Sequence, residues 1–261
     1  MRQRFILVWL RLAAWLLRVR IKMDGLENVP DREPCILLIN HIHFLDPFVV
    51  AARMPRPITA MSKVENFSIP ILGFIFKLYG AIPVRRGASD RQALKRVLKE
   101  LKKDNTLLLV APEGTRSPDR TLQAPHNGLA YIAHHSKAPI IPIAITGTTD
   151  FDHKIKRLRR TPIHIKLGQP FYLRANARRL RHQTLHAMTT EAMYQLAALL
   201  PADYRGLYSN LEQATENHVY FLDNANLPSP TRETEPKSAS PTKRASLPPA
   251  RGGDCAASCK E

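Results

Sequence analysis

An imidazole and a carboxylate stand five residues apart in Asn40-His41-Ile42-His43-Phe44-Leu45-Asp46, directly after an apolar run that ends at Ile39. A neutral imidazole can take the proton of a hydroxyl as that hydroxyl attacks an electrophile. A carboxylate beside it can fix the tautomer and stabilise the imidazolium that develops. The spacing is awkward on a straight helix and easy across a strand end and the turn entering a helix. Open α/β sheets place their sites at such edges. Plainer roles compete at each position. Asp46 before Pro47 suits a helix cap, and His41 suits a satisfied structural histidine. His43 would share a face with His41 on a continuing strand, so it competes as the base. Asn40 can bond neighbouring backbone and shape the turn.

A second constellation follows another apolar run, Leu107 to Val110: Pro112-Glu113-Gly114-Thr115-Arg116-Ser117. Gly114 permits a tight turn, Thr115 offers a hydroxyl, and Arg116 offers a fork of charged donors suited to a phosphate. Arg86 could reach the same anion from a neighbouring strand end. Glu113 repels an anion, so it fits better as an orienting partner of Arg116 or as a bond to a substrate hydroxyl. Taken alone, the segment also reads as an ordinary turn. The chain has no GxxxxGK[ST] or GxGxxG loop, which argues against nucleotide hydrolysis and redox chemistry. It also has no GxSxG elbow, so a serine hydrolase would lack its nucleophile.

The elements that must position these residues read as an α/β domain. Pro34–Ile39, Pro57–Met61, Ala81–Val84, Thr106–Val110, Ile140–Thr146 and Ile163–Leu167 are strand candidates. Thr106–Val110 fits an interior parallel strand. Asp46-Pro47 suits a helix start. Leu94, Val97, Leu98 and Leu101 recur at helical spacing behind a Ser89/Gln92 capping box. Asn127–His135 and most of Ala175–Leu200 are helical in character, and strands alternating with helices define the class. Phe67–Tyr79 is heavily apolar, fit for a core helix or a wall beside an acyl chain.

The 261 residues divide into three parts: 1–22, 23–226 and 227–261. The first carries Trp9 and Trp15 among arginines, with apolar runs too short to span a bilayer. It reads as an interfacial helix meeting anionic lipid, or as a helix docked on the core. The last is rich in Pro, Ser, Lys and Arg and has little to bury, so disorder is expected there. Lys and Arg number 39 against 22 Asp and Glu, a formal charge of +17. That field favours an anionic membrane, a phosphorylated substrate or nucleic acid. Without a helix-turn-helix, zinc-finger or OB-type signal, nucleic acid is not expected. Cys35 lies in an apolar run and fits a buried thiol. His134-His135 lacks the company a metal site needs.

At these residues the chain resembles the membrane-bound glycerolipid acyltransferase family, close to its bacterial 1-acylglycerol-3-phosphate acyltransferases. Asn40-His41 through Asp46 looks like the family's His-x4-Asp motif. Gly80-Ala81-Ile82-Pro83-Val84-Arg85-Arg86 resembles the second block, with Arg86 at its acceptor-binding arginine. Pro112–Ser117 is similar to the third block and Ile141-Pro142-Ile143 to the fourth. The resemblance covers about residues 20–200. It departs at Ala111, where an aromatic is common, and at Pro125-His126-Asn127-Gly128, where a basic residue is common before the glycine.

The resemblance implies a mixed, largely parallel sheet flanked by helices, with an N-terminal interfacial membrane helix. It implies that His41 and Asp46 are catalytic, and that Arg86, Glu113, Gly114, Thr115 and Arg116 bind the acceptor phosphate. The implied reaction moves a fatty acyl group from acyl-CoA or acyl-carrier protein to the 2-hydroxyl of lysophosphatidic acid, with no metal or redox cofactor. Other acceptors remain alternatives: another lysophospholipid, glycerol 3-phosphate or a lyso-ornithine lipid. A non-catalytic lipid-binding protein is a further alternative. The expected setting is an anionic membrane surface, peripheral or monotopic, on the cytoplasmic face of the cell inner membrane.

Overall fold

The computed structural model describes residues 18–85, 90–175 and 180–221. Residues 1–17 of the proposed interfacial segment, the Ser89 cap and the 227–261 tail lie outside these residues. The strands are β1 Val19–Asp24, β2 Cys35–Ile39, β3 Ile58–Lys63, β4 Ile82–Val84, β5 Leu107–Val110, β6 Ile140–Thr146, β7 Thr161–Leu167, β8 Phe171–Leu173 and β9 Val219–Phe221. The helices are α1 Asp46–Arg53, α2 Pro70–Tyr79, α3 Arg91–Glu100, α4 Gly128–Ser136, α5 Phe151–Lys156 and α6 His182–Ala197.

The strands form one sheet in the order β1-β7-β6-β2-β5-β3-β4, with β8 joined to β6 and β9 to β8. The central run β6-β2-β5-β3-β4 is parallel throughout. β7, β8 and β9 enter through antiparallel pairings, while β1 is parallel to β7. The sheet is therefore mixed and mostly parallel, as expected.

Composition explains why the middle strands sit in the middle. Parallel strands covered on both faces must be apolar on both faces, and every residue of β2 and β5 is buried. Ile36, Leu38, Leu108 and Val110 point to one side, where α3, α4 and α6 supply Val97, Leu129, Ile132, Met188 and Leu196. Leu37, Ile39, Leu107 and Leu109 point to the other, against Val49 and Val50 of α1 and Phe151 at the start of α5. β7 alternates buried and exposed residues because only one of its faces is covered.

Residues 19–22 correct the expected boundary of the N-terminal segment. They belong to β1, in register with β7 from Val19 opposite Thr161 to Asp24 opposite Lys166. Val19, Ile21 and Met23 face the core, while Arg20, Lys22 and Asp24 stand exposed. This is the period-two alternation of a half-covered strand. The basic residues disguised it as the end of a helix.

Element ends follow local chemistry. α1 begins at Asp46-Pro47, where proline's missing N–H costs nothing. α3 is capped by Asp90, whose Oδ1 accepts from Ala93 N at 2.9 Å. α2 stops at Gly80, in the left-handed conformation with φ 71°. It packs closely on the short turn Val64–Ser68, and the rings of Phe67 and Phe76 lie 5.6 Å apart. Among the described residues no helix is long and apolar enough to cross a membrane.

Gly147, just past β6, has φ 86°, and a Cβ there would stand 2.4 Å from the carbonyl oxygen of Pro162 in β7. Both conformation and contact require glycine at this corner. Gly147→Ala should therefore destabilise the fold by at least about 1–2 kcal/mol, read as a lower midpoint in urea melts.

Candidate active site

β5, β2 and β6 are adjacent and parallel, so their carboxyl ends share one edge of the sheet. His41 follows β2, Glu113 follows β5 and Thr148 follows β6. Three strand ends thus deliver one residue each to the same place, the position where open α/β sheets build sites.

Asp46 is completely buried and is the hub. Its Oδ2 accepts from Ile42 N and His43 N, both at 2.7 Å, and faces His41 Nδ1 at 3.0 Å. Its Oδ1 accepts from Thr148 Oγ1 at 2.7 Å. Asp46 stands at the first residue of α1, yet none of these bonds caps that helix. The side chain reaches back into the turn that leads to it, which replaces the helix-cap reading. A carboxylate so placed can only accept, so the neutral ring of His41 carries its proton on Nδ1. Nε2 then holds the lone pair, and it has no partner among the described residues. The His41 side chain keeps 17% of its exposure, whereas Asp46 keeps none.

His43 is separated from this role by its own bonds. Its Nδ1 accepts from Leu45 N at 3.4 Å and its Nε2 lies 3.3 Å from Asp152 Oδ2. Its ring packs beside Phe44 and Phe151 at centroid distances of 4.5 and 6.2 Å. Both nitrogens are engaged, so His43 holds α5 to the turn.

Asn40 ends the strand differently from its neighbours. Its side-chain amide donates to Ile145 O at 2.9 Å and accepts from Ile145 N at 2.8 Å. Side chain replaces main chain in the ladder, and the backbone of residue 41 turns away from the sheet.

Glu113 ties the second constellation to the first. Oε1 accepts from His41 N at 3.1 Å, Oε2 accepts from Gln123 N at 3.0 Å, and the residue is buried. Ser117 N donates to His41 O at 2.8 Å. The backbone of His41 is therefore held on both sides by the Pro112–Ser117 segment. Both Glu113 oxygens are occupied by backbone, so its contribution to the site is to hold these loops together. Burial outweighs the two amides and pushes the Glu113 carboxyl up to about 7. Gly114 turns with φ 68°, and a Cβ there would meet the His126 ring at 2.7 Å. The His126 ring thus packs against the face of the turn that glycine leaves open. Thr115 and Arg116 stand exposed beyond the turn, without a partner among the described residues.

The structure thus brings His41, Asp46, Glu113 and the Gly114–Arg116 turn together. Arg86 lies outside the described residues; β4, which precedes it, ends at the same sheet edge. Thr148 and Gln123 were missed by sequence reasoning. Their bonds span 102 and 10 residues, and neither belongs to a motif. The Gly147-Thr148 corner after an apolar strand was the available signal. Cys35 is buried as expected, and burial pushes its thiol up to about 12, far from a reactive thiolate.

A family model described as acyltransferase matches residues 20–146, just under half of the chain. Among curated relatives, proteins named 1-acyl-sn-glycerol-3-phosphate acyltransferase recur. The one from Limnanthes douglasii is 32% identical over 162 residues, covering 61% of this chain and 57% of that protein. The one from Pseudomonas aeruginosa is 32% identical over 151 residues, covering 55% and 58%. The matched segment thus spans well under two thirds of these relatives. The crystal structure of the 1-acyl-sn-glycerophosphate (LPA) acyltransferase PlsC from Thermotoga maritima shares the fold, with a TM-score of 0.57 and 22% identity over 76% of this chain and 79% of that one.

Two outcomes follow from the bonds at the hub. Thr148→Val leaves a buried acceptor short of a donor and should cost about 1–3 kcal/mol in thermal or urea melts, with Thr148→Ser recovering most of it. Glu113 keeps its proton in the fold over a pH range in which the unfolded chain releases it. Stability should therefore fall as pH rises from about 4.5 to about 7. Melts across that range should show the parent losing stability relative to Glu113→Gln, which has nothing to titrate there.

Proposed function

We propose that this chain transfers a fatty acyl group from acyl-CoA or acyl-carrier protein to the free 2-hydroxyl of lysophosphatidic acid, giving phosphatidic acid and a free thiol. The observation that carries the reading is the pair at the strand edge: His41 Nδ1 sits 3.0 Å from the buried Asp46, and the second nitrogen is free. The family match and the names of the relatives support the choice of acyl transfer to a glycerophosphate.

The chemistry follows from the geometry. His41 Nε2 takes the proton of the 2-hydroxyl as its oxygen attacks the thioester carbonyl. Asp46 stabilises the imidazolium that forms. The carbon–sulfur bond then breaks, and the imidazolium returns the proton to the departing thiolate. Protons and electrons balance without a metal or redox cofactor. Arg116, Thr115 and the Gly114 turn, with Arg86, receive the acceptor phosphate, where a guanidinium can bind two oxygens at once. Glu113 serves by holding that turn against the His41 backbone. Acceptor and product are lipids with anionic headgroups. The working surface in this reading is an anionic membrane, the cytoplasmic face of the inner membrane in a bacterial cell.

A panel of acceptors and donors with the purified chain in detergent tests the assignment. Lysophosphatidic acid should outperform glycerol 3-phosphate, lyso-ornithine lipid and other lysophospholipids. A clear preference for one of those would move the acceptor. His41→Ala should lower turnover at least about a hundredfold, the usual share of general-base catalysis, while thermal melting drops no more than in Thr148→Val, which also removes one donor from Asp46 and should keep far more of its turnover. Parent-like turnover would remove His41 as the base. Arg116→Ala should raise the acceptor KM about tenfold or more and leave the donor KM near that of the parent. An effect on the donor alone would reassign the anion site.

A further inference from the structure

Resting on the reading that the acceptor is a membrane lipid, we infer that the turn Lys156-Arg157-Leu158-Arg159-Arg160 docks the protein on an anionic bilayer with the active-site edge facing the lipid.

Topology fixes where this turn lies. β7 runs antiparallel to β6, with Thr146 opposite His164. The chain between them therefore crosses the sheet edge at which His41 stands. β1 is parallel to β7, with Val19 opposite Thr161, so the chain also enters the sheet at that edge. Arg18, the residue before β1, donates from Nη1 to Leu158 O at 3.0 Å. The sequence segment bearing Trp9 and Trp15 thus joins the domain directly beside the turn.

Leu158 is unusual in two ways at once. The residue is 70% exposed, and its backbone has φ 52°, a conformation that bulky L-residues rarely adopt. Glycine would relieve the backbone and remove the exposed apolar surface. A leucine there gains only if the tip is buried in something else. Lys156, Arg157, Arg159 and Arg160 flank it, all exposed and without an ion pair among the described residues. The acidic residues of the same segment are already engaged, Asp150 with Lys154 at 2.9 Å and Asp152 with His43 at 3.3 Å. Phe44, also on this edge and three residues past His41, is 46% exposed. At the opposite edge the loop between β1 and β2 carries Glu27, Asp31 and Glu33. An apolar tip in a basic collar matches the boundary between anionic headgroups and acyl chains. An acidic protein face would satisfy the charge but would not account for Leu158.

The test uses the full chain and two variants, Leu158→Gly and the double change Arg157→Gln/Arg159→Gln. Binding is measured on vesicles of phosphatidylcholine with and without phosphatidylglycerol. The double variant should bind the phosphatidylglycerol vesicles about twenty-five-fold more weakly, about fivefold for each basic residue removed. Its binding to pure phosphatidylcholine should not change. Leu158→Gly should bind both vesicles about tenfold more weakly, with a thermal midpoint equal to or above that of the parent. Turnover of a short-chain acceptor dissolved as monomers should be unchanged in both variants. That turnover by the parent reports on the acyl-transfer reading separately from the docking result. Parent-like vesicle binding by both variants would overturn the inference. So would unchanged vesicle binding accompanied by a raised KM for an acyl-carrier-protein donor, which would assign the turn to an acidic protein.

Discussion

A carboxylate sealed from water must be surrounded by donors, and the architecture of this site follows from how Asp46 meets that demand. Leaving such a group under-satisfied costs several kcal/mol. Here four donors converge on it: two backbone amides, an imidazole and a hydroxyl. Three come from the residues immediately upstream, so the chain between β2 and α1 is wound around its own side chain. The orientation of His41 is a by-product of that winding. The same constraint explains the five-residue spacing between His41 and Asp46, which neither a straight helix nor a straight strand would bring into contact.

A second buried acid repeats the device at longer range. Glu113 arrives from the neighbouring strand end and grips the amide of His41 on one side and that of Gln123 on the other. His41 and the Gly114–Arg116 turn are thereby fastened to each other through main chain. His41 Nε2 and the exposed Thr115–Arg116 pair are left without a partner among the described residues. The division is between two buried acids that organise the loops and an imidazole nitrogen and a guanidinium that no described residue engages. Thr148 adds a third strand to the arrangement. The hub is thus braced from β6 as well as from its own loop.

Much of this was legible in the sequence, for reasons that can be named. β2, β5 and β6 are short, largely apolar runs, the mark of strands covered on both faces. His41, Asp46 and the Pro112–Ser117 segment stood out because chemistry-bearing residues followed such runs directly. β1 was hidden because arginine and lysine at alternate positions resembled the end of a basic helix. Thr148 and Gln123 were hidden because their bonds depend on which strands become neighbours, and no local pattern encodes that. Glu113 was visible as a residue, but its inward orientation became apparent only once the backbone of His41 was in place beside it.

The side chain of Asn40 imitates a peptide group, offering one donor and one acceptor to Ile145 where the strand's own main chain has already departed. The seam between β2 and β6 therefore closes without help from the main chain of His41, which turns away from the sheet. An acid in its place would present an oxygen to the Ile145 carbonyl where the amide presents a hydrogen. Hydrolytic ageing of this one amide, which changes the side chain by a single atom, would set like against like at the start of the turn that carries His41 and Asp46.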